Sequence, residues 1–221
     1  MCVIIHSPDK KHRPTTADLA ACLRSNPHGI GVAYEDTPRL LRVSKAVDQT
    51  EVLRLVRDHD GPLTIHYRYA TAGGVRPELC HPFPATAKAE TWLDYRASSV
   101  LFTNGTWQGW EANYGAMAKI LDLPMLKGAM SDTRALASIV GHTAKANWLE
   151  EVPDQSTYFD TIRTLVMRPN RKPLMQGDWE TVKGVHYSNL RWRAARGPKK
   201  PRKGPSYKHI QQDLLGPYWA K

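Results

Sequence analysis

A chain of 221 residues with 41% hydrophobic and 24% charged residues has the length and balance of one globular domain, with or without an appendage. No apolar run approaches the ~20 residues of a membrane-spanning helix, and no basic start followed by an apolar stretch marks a signal peptide, so neither a membrane nor a secreted protein is expected. Cys2, Cys22 and Cys80 are an odd count without metal-ligand spacing, which points to a reducing, cytoplasmic setting and away from a disulfide framework or a zinc site.

The net charge of +10 is concentrated at one end. Residues 181–221 carry ten Lys or Arg against the single acid Asp213, a balance of +9 that leaves +1 for everything before them. The expected body is therefore nearly neutral and the C-terminal end basic.

In chain order, CVIIH at 2–6 reads as a short buried strand rich in β-branched residues. TTADLAACLRSN at 15–26 predicts a helix with Thr15 or Thr16 as N-cap and Leu19, Cys22 and Leu23 on one face. HGIGVAYED at 28–36 alternates like a strand, with glycines where backbone approaches backbone. RLLRVSK at 39–45 reads as the next strand. DQTEVLRLVRDHD at 48–60 reads as a helix started by Asp48, with Val52, Leu55 and Val56 inward. GPLTIHYRYAT at 61–71 returns to a strand that runs into the glycine turn Gly73-Gly74. SSVLFTNG at 98–105 is another strand, breaking at the turn pair Asn104-Gly105.

Two helices follow, WEANYGAMAKILDL at 110–123 and SDTRALASIVGHTAKANWL at 131–149, the second opening with Ser131 and Asp132 as capping residues. TIRTLVMRP at 161–169 fits a strand or a helix, and PLMQGDWETVKGVHYSNL at 173–190 suggests further strands. RGPKKPRKGPSYKH at 196–209 has the composition of a flexible basic tail. No internal repeat is visible, and the order of elements indicates α+β layers.

Four stretches carry chemistry: MCVIIH at the start, HYRYATAGG at 66–74, TNG at 103–105 and SDTRA at 131–135. In this order they resemble the class II glutamine amidotransferase domain of the N-terminal-nucleophile (Ntn) hydrolases. NPHGIGVAY at 26–34 and GDWETVKGVHYSN at 177–189 also resemble segments of its compact standalone members. The likeness covers residues 2–190 and leaves 191–221 as a basic, Pro-rich tail. It implies a four-layer αββα sandwich and an enzyme that needs no cofactor or metal.

The resemblance also implies a role for each motif. With Met1 removed, Cys2 carries both a thiol and a free α-amine, whose reference pKa near 8 suits it to act as base. Its thiolate would attack the glutamine side-chain amide, splitting a hard hydrolysis into thioester formation and breakdown. Arg68 would hold the α-carboxylate of L-glutamine through a bidentate fork, and Asp132 its α-ammonium. Asn104 and Gly105 would form the oxyanion hole, through a side-chain amide and a backbone N–H. Tyr69, Ala70 and Thr71 would line the pocket. The chain departs from the usual pattern at Val3, where Gly is common, at Ala72, where His is common, and at Arg134, where an acid is frequent.

Taken singly, each feature has a plainer reading: Cys2 as strand filler, Arg68 as a surface ion pair, Asn104-Gly105 as a turn, Asp132 as a helix cap. Cys22 and Cys80 read as structural, with Cys80–His81 as a fallback nucleophile pair. His6, His66, His81 and His142 lack the spacing of a metal site. No room is visible for a synthetase domain, and no G-x-x-x-x-G-K-[ST] phosphate loop is present, so ammonia is expected to pass to a separate acceptor protein. Hydrolysis of another γ-glutamyl or linear amide is one alternative. A non-catalytic scaffold whose tail binds nucleic acid or an acidic protein surface is the other.

Overall fold

The first strand, β1 (Val3–Ser7), is buried along its whole length. A strand buried on both faces must have other layers on both sides, and the rest of the fold supplies them. The computed structural model describes residues 2–70, 74–143 and 162–196. Thr71, Gly73, the expected continuation of the second central helix over 144–149, and the tail from 197 onward lie outside the described residues.

After β1 come α1 (Thr16–Ser25), β2 (Ile30–Thr37), β3 (Leu40–Lys45), α2 (Gln49–Asp58) and β4 (Leu63–Tyr67). Next are β5 (Phe83–Pro84), β6 (Asp94–Ala97), β7 (Val100–Asn104), α3 (Trp110–Ile120) and α4 (Asp132–His142). The short strands β8 (Arg163–Met167), β9 (Leu174–Gln176), β10 (Glu180–Val182) and β11 (Val185–Tyr187) follow. Helix starts obey local chemistry. Thr15, Asp48 and Ser131 each accept a backbone N–H from the first turn of α1, α2 and α4. Thr15 rather than Thr16 is the cap, and Ser131 rather than Asp132.

The strands form two antiparallel sheets. Seven lie in the order β10-β11-β1-β4-β2-β3-β6, and four in the order β5-β7-β8-β9. The 161–169 stretch, compatible with helix or strand in sequence, is a strand because β8 pairs with β7 from Val100↔Met167 to Asn104↔Arg163. Its side chains Leu165 and Met167 fill one face, and Val166 the other. The chain is thus mixed α+β, with two antiparallel sheets and four α-helices among the described residues.

Strand alternation separates the core into regions. Val3 and Ile5 of β1 join Val32, Ile65 and Tyr67 against Leu19 and Cys22 of α1 and Val52 and Leu55 of α2. Ile4 faces the other way and clusters with Val43 of the first sheet and Val100, Phe102, Leu165 and Met167 of the second. On the far side of the second sheet, Leu101 and Val166 meet Leu136, Ala137 and Val140 of α4. A close backbone approach falls at Gly31, where an added Cβ would lie 1.8 Å from the His81 carbonyl oxygen. Only glycine fits there.

The division after residue 190 does not match the packing. Arg191–Arg196 forms a 3-10 helix, and Trp192 within it is 1% exposed, in the cluster that also holds Tyr187 and Leu19. Its indole N–H donates to the Asn189 carbonyl at 3.0 Å. The first turn of the basic segment therefore belongs to the folded body. Trp192→Ala should lower the unfolding free energy by about 3–5 kcal/mol, as loss of a buried aromatic does. Urea unfolding followed by far-UV circular dichroism measures this; a change below about 1 kcal/mol would place Trp192 outside the core.

Candidate functional site

The same alternation aims the chemistry-bearing residues. On β1, Ile4 faces the second sheet, so Cys2, two residues earlier, starts on that side. On β4, Tyr67 packs toward the helices, which turns Arg68 to the inter-sheet side. On β7, Val100 and Phe102 face the first sheet, and Asn104 continues their row. Cys2 and Arg68 from one sheet and Asn104 from the other are therefore directed into the gap between the sheets, at one end of it.

The β1–β4 register, Val3↔Tyr67, carries Cys2 alongside the residues after β4. The Tyr69 N–H donates to Cys2 Sγ at 3.3 Å, and the thiol lies 3.5 Å from the Tyr69 carbonyl oxygen. Burial pushes the Cys2 thiol up, against the pull of the Tyr69 N–H and the Arg68 charge. Cys2 as a residue is half-buried. The Asn189 side-chain amide donates to the Cys2 carbonyl at 2.9 Å and pins the backbone.

Arg68 is 5% exposed, so the surface ion-pair reading does not describe it. Its backbone is held by Arg68 N–H to Gly29 O at 2.8 Å and His28 N–H to Arg68 O at 3.0 Å. Its Nη1 donates to the Arg76 carbonyl at 3.4 Å. Ala70 donates its N–H to His28 Nδ1 at 2.9 Å, which makes that nitrogen an acceptor and places the neutral ring's proton on Nε2. Burial and the Arg68 charge both lower the His28 pKa, which favours the same neutral form. Tyr69 is 42% exposed and its ring lies 5.0 Å from that of His28. Thr71 is outside the described residues.

Asn104 is 3% exposed, and its Nδ2 contacts Ser188 Oγ at 2.8 Å. Gly105 follows with a φ of 127°, a conformation that favours glycine and turns the chain sharply off β7. Asp132 reaches back to this turn. Its Oδ2 accepts the Trp107 N–H at 3.0 Å, while Oδ1 accepts the Thr133 N–H at 2.8 Å. The hydroxyls of Thr103 and Thr133 also meet, binding the end of β7 to the start of α4. Burial raises the Asp132 pKa, opposed by these N–H donors. The structure thus brings Cys2, Arg68, Tyr69 and Ala70 together in one group, and Asn104, Gly105 and Asp132 in another. Ser188 ties Asn104 to β1, because its Oγ also accepts the Ile4 N–H at 2.9 Å.

Several contributors escaped the sequence reading. His28, Ser188 and Asn189 lie in stretches singled out for their family likeness, but nothing local assigns them a bond to residues 42, 84 and 187 positions away. Arg134, a departure from the motif it resembles in sequence, is 4% exposed and donates to the carbonyls of Ala89, Lys127 and Ala129 at 2.8, 2.9 and 2.7 Å. It fastens the loop before α4 and so holds Asp132 in place.

A buried polar layer lies behind Arg68. Cys80 Sγ is 3.6 Å from His66 Nδ1, and the His66 and His81 rings stack with centroids 4.1 Å apart. The ring contacting Cys80 is His66, not the neighbouring His81, and burial pushes the Cys80 thiol up to about 12. Cys80 is therefore held as a thiol, unsuited to the fallback role. Among the described residues, no group of three His, Cys, Asp or Glu side chains is placed to hold a metal ion. Among them too, no helix is long and apolar enough to cross a membrane.

Lys45 closes this layer. It is 5% exposed, donates to the Glu78 carbonyl at 3.2 Å and stands 4.1 Å above the Phe83 ring. Burial lowers its pKa to about 7. Between that value and the ordinary 10.5, the unfolded chain binds the proton that the folded chain does not. The penalty is complete below pH 7 and fades toward pH 10.5. Lys45→Met should therefore stabilise the protein at pH 7 by on the order of 2–4 kcal/mol, with the advantage shrinking by pH 10. Urea unfolding at both pH values measures this; an advantage independent of pH would contradict it.

No protein-family model matches the chain, and comparison with curated protein sequences finds no match.

Proposed function

We propose that the chain is the glutaminase of a class II glutamine amidotransferase, built as a four-layer αββα sandwich of the N-terminal-nucleophile type. The observation that carries the reading is the strand alternation that directs Cys2 and Arg68 from one sheet and Asn104 from the other toward the inter-sheet gap. Met1 removal would free the Cys2 α-amine. That amine takes the thiol proton, the thiolate attacks the glutamine side-chain carbonyl, and the oxyanion is received by the Asn104 amide and the Gly105 N–H. As the intermediate collapses, the amine returns its proton to the leaving nitrogen, and ammonia departs for an acceptor. Water then cleaves the γ-glutamyl thioester, releasing glutamate and regenerating Cys2.

Arg68 and Asp132 supply opposite charges for the two α-substituents of L-glutamine. The burial of Arg68 favours this, because a guanidinium partly withdrawn from water binds a carboxylate more strongly than a solvated one. The raised pKa of Asp132 would fall when an ammonium group arrives beside it.

Cys2→Ala in the Met-processed protein should reduce ammonia release from L-glutamine by at least ~1,000-fold. Retained activity would remove Cys2 as nucleophile. Arg68→Gln and Asp132→Asn should each raise KM for L-glutamine about 10- to 100-fold, the range implied by ~1.5–3 kcal/mol for a hydrogen bond to a charged group. An unchanged KM in both would contradict the clamp and favour another amide substrate.

A further inference from the structure

The amide of Asn104 has one end bonded to Ser188 and one end without a partner, and Ser188 can decide which end is which. Ser188 follows β11 and is fully buried. Its N–H donates to the Ile4 carbonyl and its Oγ accepts the Ile4 N–H, both at 2.9 Å, so it extends the β1–β11 pairing with its own side chain. With Nδ2 of Asn104 also donating to Ser188 Oγ at 2.8 Å, that oxygen accepts two N–H groups. Meanwhile Oδ1 of Asn104 is buried with no hydrogen-bond partner. An unmet buried acceptor costs about 1–3 kcal/mol.

A half-turn of the Asn104 amide lets the Ser188 hydroxyl donate, and it exchanges the unmet acceptor for an unmet donor, which a developing oxyanion would satisfy. Nitrogen and oxygen of an amide occupy nearly the same space, and their assignment follows from the bonds they make. Turned over, Oδ1 accepts the Ser188 O–H, while Ser188 Oγ keeps the Ile4 N–H. The NH₂ then occupies the buried position of the unpartnered oxygen, as a donor on the inter-sheet side of β7 with no acceptor of its own among the described residues.

We propose that Ser188 is a positioning residue: its hydroxyl holds the Asn104 carbonyl, so that the Asn104 NH₂ is presented to the oxyanion formed when Cys2 attacks an amide. This rests on the glutaminase reading and adds to it the group that fixes which end of the amide faces the reaction. Without the hydroxyl, the amide can present its oxygen, which repels the oxyanion instead of stabilising it. The effect belongs to the transition state, so kcat should fall while KM holds.

Ser188→Thr and Ser188→Val form the test, since both add the same bulk to a fully buried site and differ in the hydroxyl. The Val variant should show kcat for L-glutamine about 10- to 100-fold below the Thr variant, with KM equal within about threefold. Alkylation of Cys2 by iodoacetamide, which develops no oxyanion, should proceed at the same rate in both. Adding Asn104→Ala to each should erase the difference between them, because Ser188 acts through Asn104. Equal kcat in the Thr and Val variants, or a difference that survives Asn104→Ala, would overturn the positioning role while leaving the glutaminase reading standing. Wild-type protein with a free Cys2 amine and no ammonia release would overturn both.

Discussion

The pairing of β1 with β4 on one side and β11 on the other is the constraint on which the rest depends. It holds a strand of Val3, Ile4, Ile5, His6 and Ser7 in the middle of a sheet, with every residue buried. Because side chains alternate, this fixes Val3 and Ile5 toward the helices and Ile4 toward the second sheet. The direction of Cys2 follows. A register slip of one residue would move the thiol to the helical face, away from the inter-sheet side and the Tyr69 backbone. The same pairings bring in Asn189, which holds the Cys2 carbonyl, and Ser188, which joins β1 to Asn104.

Much of the fold was legible because its signals are local. Thr15, Asp48 and Ser131 each satisfy a backbone N–H in the turn they begin, and sequence narrows such caps to one or two adjacent residues. β8 was ambiguous because five residues of mixed apolar character fit either period; pairing with β7 and β9 decided it. Trp192 was hidden by composition. Arginines surround it, and only the cluster beneath α1 shows that the turn carrying it packs inward.

The candidate site divides in the same way. Its motifs were visible as short words in sequence order, but the bonds that position them were not. Arg134 shows the difference most clearly. In sequence it is a departure from a pattern; in the fold its guanidinium gathers three carbonyls from two loops and steadies the start of α4. Lys45 and His66, two residues from strands of the same sheet, enter a polar layer whose buried character no local pattern reveals.

The most direct test of the central claim is mass spectrometry of the Met-processed protein after treatment with a glutamine-like electrophile. The account predicts one adduct, on an N-terminal Cys2, formed at a rate that excess L-glutamine suppresses, with Cys22 and Cys80 unmodified. A Cys2 with a free α-amine that remains unlabelled, or labelling that L-glutamine does not slow, would contradict it.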